Sequence, residues 1–198
     1  MNPVLPESAQ RDLVLASNSP RRQEVLRNLG FEFEVVPADV DEGFVDGETF
    51  TSHVKRVALL KASAVAGTRE GKRIIAADTV VVLGEEIMGK PKDREDASRM
   101  LKALSGVKHR VATGLALIDP VKGELVECEV TDVYFRMIDD TEIERYIATG
   151  EPMDKAGAYA IQGFASAFVE RIDGCFFNVV GLPVGLLFRV LKSLSVPG

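Results

Sequence analysis

The run Ile74-Ile75-Ala76-Ala77-Asp78-Thr79-Val80-Val81-Val82-Leu83 constrains this chain more than any other stretch. A strand with one wet face alternates apolar and polar residues. Here both faces are apolar, so the strand must be covered on both sides, as in sheets with a helical layer on each face. The rest of the chain supplies those layers. Helical spacing of apolar residues is present at 20–30, 50–68, 93–104, 141–148 and 183–194, and residues 13–16, 33–36, 107–118, 124–137 and 167–172 read as further strands. Strands and helices mix without strict βαβ alternation, which predicts an α/β fold with a mixed sheet. Ser19 as N-cap, Pro20 at the first helical position and Gly30 as a stop frame one helix. Asp93 caps another, and Thr141 with Glu144 spells a capping box for a third. Residues 1–12 are polar and expected to be flexible, which leaves 13–198 as one domain.

Composition removes several classes of function. The 198 residues carry 24 Lys plus Arg against 30 Asp plus Glu, a net charge of −6. A protein that coats a nucleic acid polymer needs a dense basic surface, so such a partner is not expected, whereas a few local cations suffice for one triphosphate. No apolar run approaches the roughly 18 residues of a membrane helix, and the first residues lack a charged-then-apolar signal pattern. Cys128 and Cys175 form no CxxC pair, which suggests neither a disulfide framework nor a zinc site. A cytoplasmic location is the expectation. His53 and His109 are too few for a His-based metal centre, and no Gly-x-Ser-x-Gly elbow is present.

Three places look chemical. Asp78 lies inside the doubly covered strand, where an ionised carboxylate needs a metal, a partner or a task; a salt-bridged structural aspartate is the alternative. Lys61 lies about 20° around its helix from Phe50, amid Val54, Val57 and Val65. It either snorkels to the edge of that apolar stripe or points at an anion held in a cleft. The third is Ser17-Asn18-Ser19-Pro20-Arg21-Arg22, a strand, a small-residue loop and a helix N-terminus. Free backbone N–H groups point outward there, and Arg21 and Arg22, unfavourable beside the positive helix end, suit a polyphosphate. A solvated basic patch is the other reading. Gly84-Glu85-Glu86-Ile87-Met88-Gly89-Lys90 has P-loop spacing, but Pro91 stands where magnesium needs Ser or Thr, so the stretch reads as a hairpin that presents Lys90. What remains is oxygen-ligand chemistry, with Glu42 and Asp78 around a hard cation such as Mg²⁺ or Mn²⁺. With Arg21, Arg22, Lys61 and Lys90, that inventory suits hydrolysis of a phosphoanhydride.

Taken together, the blocks LVLASNSPRRQEVL (13–26), AADTVVV (76–82), GKP (89–91), LSGVKHRV (104–111), DKAGAYAIQG (154–163) and VVGLP (179–183) resemble the Maf family of nucleoside triphosphate pyrophosphatases. The resemblance spans nearly the whole chain. It implies an elongated mixed sheet flanked by helices and two lobes around a cleft, similar to inosine triphosphate pyrophosphatases. It implies cleavage between the α- and β-phosphates with a divalent cation, Asp78 as proton acceptor, and Arg21, Thr79 and Gln162 as specificity positions. Ser17, Arg22, Lys61 and Lys90 would bind phosphate. The I-Q-G form looks like the branch acting on dTTP and UTP; the branch acting on 7-methyl-GTP is the alternative. The family further suggests a homodimer and, as another reading, a non-catalytic regulator of septum formation. A phosphate-monoester hydrolase is the remaining alternative. Phe176-Phe177 before Asn178 departs from the smaller or more polar residues common there.

Overall fold

The computed structural model describes residues 2–194. In chain order it contains α1 (Glu7–Gln10), β1 (Leu13–Leu15), α2 (Pro20–Asn28), β2 (Phe33–Val35), α3 (Phe50–Ala66) and β3 (Arg73–Leu83). There follow β4 (Glu86–Met88), α4 (Arg94–Leu104), β5 (Lys108–Asp119), β6 (Gly123–Phe135), α5 (Asp140–Ala148), β7 (Val169–Asp173), α6 (Phe176–Val180) and α7 (Val184–Ser193). Short 3-10 turns fill the stretch between α5 and β7. The sheet has the order β2-β1-β3-β5-β6-β7, and β4 pairs with β3. It is mixed: β1 is parallel to β2 and β3, while β3–β4 and β6–β7 are antiparallel.

Among the described residues, packing divides the chain into two units, one comprising residues 2–78, 113–129 and 181–194, the other Thr79–Ala112 and Val130–Val180. The boundary falls inside β3, between Asp78 and Thr79. In the first unit, Ala58, Ala62 and Val65 of α3 share a core with Val14, Ala16, Ile74, Ala76 and Ala116. Five alanines in that set let helix and sheet approach closely. At Gly114 the approach is closest, because a Cβ there would lie 2.1 Å from the Val54 carbonyl oxygen. Ile74, Ala76 and Asp78 lie on one face of β3 by strand alternation. The face that packs under α3 therefore runs directly into Asp78.

The second unit begins with the β3–β4 hairpin, turned by Gly84 at φ 60°. The stretch with P-loop spacing is thus a hairpin, as its Pro91 predicts. Here α4 starts on Asp93, whose side chain accepts from the Asp96 N–H at 2.8 Å. Gly157, at φ 67°, packs against Val81, and its N–H bonds Gly89 O at 3.0 Å.

Several expectations need correction. The capping box is formed by Asp139 and Glu142, not by Thr141 and Glu144. Both pairs have the required spacing, but Glu142 also bonds Arg136 through both oxygens (3.0 and 2.7 Å), which fixes the earlier register. Pro183 is the N-cap of the last helix instead of its first residue. The seventh strand starts two residues late, because Ala167 and Phe168 belong to a 3-10 turn. A short helix, α6, spans the Phe-Phe-Asn stretch, for which the sequence pattern predicts no element. The segment expected to be flexible is tied down at residues 2–10. The Gln10 side-chain amide donates to Asn2 O and Leu5 O (2.8 Å each), and Asn2 Nδ2 donates to Leu29 O at 2.7 Å.

Candidate active site

Within the first unit, a cluster of charged residues gathers at the end of the α3-covered face of β3. Asp78 is buried, and so is Lys61, which comes from α3. Lys61 Nζ donates to Asp78 Oδ1 at 2.8 Å and lies 2.9 Å from Glu42 Oε1. One ammonium thus holds two carboxylates, one buried and one half exposed. Both readings of Asp78 meet here, since it is salt-bridged and also part of a denser charge cluster. The ion pair alone argues little for stability, because desolvating two charges offsets most of their attraction. Lys61 does not snorkel to the edge of its stripe.

The loop before α2 contributes the second component. Ser19 caps α2, its Oγ accepting from the Arg22 N–H at 3.5 Å. Arg22 then folds back, donating from Nε to Gly181 O (2.7 Å) and from Nη1 to Ser17 Oγ (3.2 Å). Burial holds its guanidinium below the ordinary value, and the carboxylates of Asp78 and Glu42 act in the opposite direction. That coupling places Arg22 in the field of the same acids that grip Lys61. Arg21 is half-buried in the first turn of α2.

A third component escaped the sequence reading. His53 is buried, and its Nε2 lies 3.9 Å from Asp78 Oδ2, outside hydrogen-bond reach. Its Nδ1 lies 3.3 Å from both Glu48 Oε2 and Arg56 Nη2. Arg56 grips Glu48 through two bonds of 2.8 and 2.9 Å and donates to Gly43 O at 2.8 Å. Phe44 stacks on the His53 ring with centroids 3.7 Å apart. The loop at 43–48 is thereby laid on α3 beside the acids. The available signal was the i, i+4 row His53, Val57, Lys61, Val65, all of which are buried on α3.

The remaining candidates belong to the second unit. Thr79 follows Asp78 on β3 and, by strand alternation, faces the opposite side. Lys90 is exposed after β4, and Gln162 is exposed in the turn at 160–163. Among the described residues no group of three or more His, Cys, Asp or Glu could hold a metal ion by itself. Two carboxylates are nonetheless a suitable protein share for Mg²⁺ or Mn²⁺, since Mg²⁺ commonly takes one or two carboxylates and completes its shell with substrate phosphates and water. Chemically, the cluster combines a proton-accepting oxygen, Asp78 Oδ2, with cations suited to phosphate.

Comparison with known proteins bears on this arrangement. Residues 12–194 match the family model described as Maf-like protein. A dTTP/UTP pyrophosphatase from Geotalea uraniireducens is 54% identical over 188 residues, covering 94% of this chain and 97% of the relative. One from Desulforamulus reducens is 50% identical over 187 residues, with 94% and 98% covered. Among solved structures, the Ham1 protein of Staphylococcus aureus aligns over 92% of this chain and 99% of its own, with a TM-score of 0.53. Its sequence identity is 17%, so the likeness is one of fold.

Proposed function

This chain belongs to the Maf family, and from that premise we propose that it hydrolyses dTTP and UTP to the nucleoside monophosphate and pyrophosphate. The observation that carries the chemistry is the buried Lys61–Asp78 pair with Glu42, set in the field of Arg22. The substrates are those named for the relatives at 50% and 54% identity.

In this reading, water attacks the α-phosphorus and the bond to the pyrophosphate oxygen breaks. Asp78 takes the water proton on Oδ2, because Lys61 occupies Oδ1 and fixes the carboxylate in orientation. Arg22 and the α2 N-terminus bind phosphate oxygens, with Ser17 holding the guanidinium in place. Arg21, Thr79 and Gln162 act as specificity positions, and Lys90 as a further phosphate ligand. Glu42 and Asp78 are the residues suited to hold Mg²⁺ or Mn²⁺, which when bound would offset the phosphate charge. The Gln162 amide offers one donor and one acceptor, which matches the N3–H and carbonyl of thymine or uracil and mismatches cytosine.

The test is a panel of dTTP, UTP, CTP and 7-methyl-GTP assayed with Mg²⁺ and with Mn²⁺, with pyrophosphate and orthophosphate measured separately. Pyrophosphate from dTTP and UTP is expected, and Asp78→Asn should lower kcat by at least ~10²-fold while the protein stays folded. Orthophosphate as first product, preference for 7-methyl-GTP, or full turnover in folded Asp78→Asn would each overturn the proposal.

A further inference from the structure

Gln162 lies in a turn whose far shoulder is held by one carboxylate. The Gly163 N–H bonds back to Ala160 O at 3.0 Å and closes the turn. Just beyond it, the Phe164 N–H donates to Glu151 Oε2 at 3.1 Å. The other oxygen of that carboxylate, Oε1, accepts from the Tyr146 hydroxyl at 2.9 Å. The far end of the turn is therefore tied to Glu151, and Tyr146 fixes the carboxylate that ties it. The hub is itself seated: Tyr146 is buried on α5, and the Glu151 N–H donates to Thr149 Oγ1 at 3.1 Å. Sterics close the arrangement, because a Cβ on Gly163 would sit 2.2 and 2.3 Å from the two Glu151 oxygens.

An exposed glutamine on an untethered turn samples many backbone and side-chain states. Its amide can discriminate between bases only if the turn beneath it is fixed. We infer that Glu151 and Tyr146 are positioning residues for base selection, holding the 160–163 turn so that the Gln162 amide meets the pairing edge of a pyrimidine. The inference rests on the reading of Gln162 as a base-contacting residue. Neither Glu151 nor Tyr146 needs to touch the nucleotide. Each oxygen of Glu151 accepts from one donor, so Glu151→Gln leaves one acceptor in place of two and removes the charge that strengthens both bonds, loosening the tether. Tyr146→Phe removes the hydroxyl that orients the carboxylate while leaving the Phe164 bond.

The experiment compares kcat/KM for dTTP and CTP in the wild type, Gln162→Ala, Glu151→Gln, Tyr146→Phe and the double variant Glu151→Gln/Gln162→Ala. A purely structural role lowers both substrates together and leaves their ratio alone. A positioning role lowers the dTTP-to-CTP ratio by about fivefold in each single hub variant, the equivalent of one lost hydrogen bond. It also makes the double variant no less selective than Gln162→Ala, because the hub acts through that side chain. Hub variants with the wild-type ratio, when Gln162→Ala has lost selectivity, overturn the positioning role and leave the base-contact reading standing. An unchanged ratio in Gln162→Ala overturns the base contact itself, and the positioning role with it. Should Glu151→Gln fold poorly, Tyr146→Phe carries the same comparison.

Discussion

The pairing of Lys61 with Asp78 and Glu42 changes what each residue can be asked to do. A lysine on an apolar stripe that merely snorkels could be replaced by methionine without loss, or even with gain, of stability. Here the ammonium neutralises a buried carboxylate, and removing one partner of such a pair leaves an uncompensated charge. Lys61→Met should therefore lower the melting temperature by several degrees. Adding Asp78→Asn to it should restore most of that loss, since the buried site is then neutral. Both variants should be inactive on dTTP. Thermal denaturation of the single and double variants checks this, and a double variant no more stable than Lys61→Met would contradict the pairing argument. Asp78 and Lys61 were legible in the sequence because each breaks a local pattern, a doubly apolar strand and an apolar helical stripe. Their contact was not legible. It depends on the alanines and Gly114 that bring α3 close to the sheet, a tertiary outcome with no local signature.

At the scale of elements, α3 links the site to the loop at 43–48. Arg56 holds the Glu48 carboxyl down to about 2, against an ordinary value of 4.5. A depressed carboxyl contributes stability above its ordinary range, and that contribution is lost as pH falls from about 4.5 towards 2. Glu48→Gln lacks the contribution at every pH. The wild type should thus be more stable than the variant at pH 7, and the gap should close as pH falls through that window. Melting temperatures of both proteins between pH 7 and 3 measure it, and a gap independent of pH would rule out the Arg56–Glu48 bond as its source. Why this network stayed hidden is clear from its members. Residues 43–48 have no periodicity, and a bidentate contact between a loop glutamate and a helix arginine needs a chain reversal that composition does not encode. By contrast, both ends of α2 were readable because Ser19 and Pro20 at its start and Gly30 past its end act within a few residues of themselves. The α5 capping box was half readable: the motif was present twice in overlapping register, and the Arg136–Glu142 bonds decide between the two.

Across the whole molecule, the residues assigned to proton transfer and most of the phosphate contacts fall in one unit, while Thr79, Lys90 and Gln162 fall in the other. Substitutions in the first set should depress turnover of every nucleotide alike, and those at Gln162 should redistribute turnover among bases. The change of unit occurs between two adjacent residues of one strand, Asp78 and Thr79, whose side chains leave β3 on opposite faces. A strand has a side-chain period of two, so adding or deleting one residue upstream within β3 exchanges those faces. An alanine inserted between Ala76 and Ala77 should therefore abolish hydrolysis and lower the melting temperature. The same insertion in the exposed turn at 120–122 should leave both nearly unchanged. Changes of length in this chain should therefore be tolerated in its turns, whereas the segment leading to Asp78 should tolerate none.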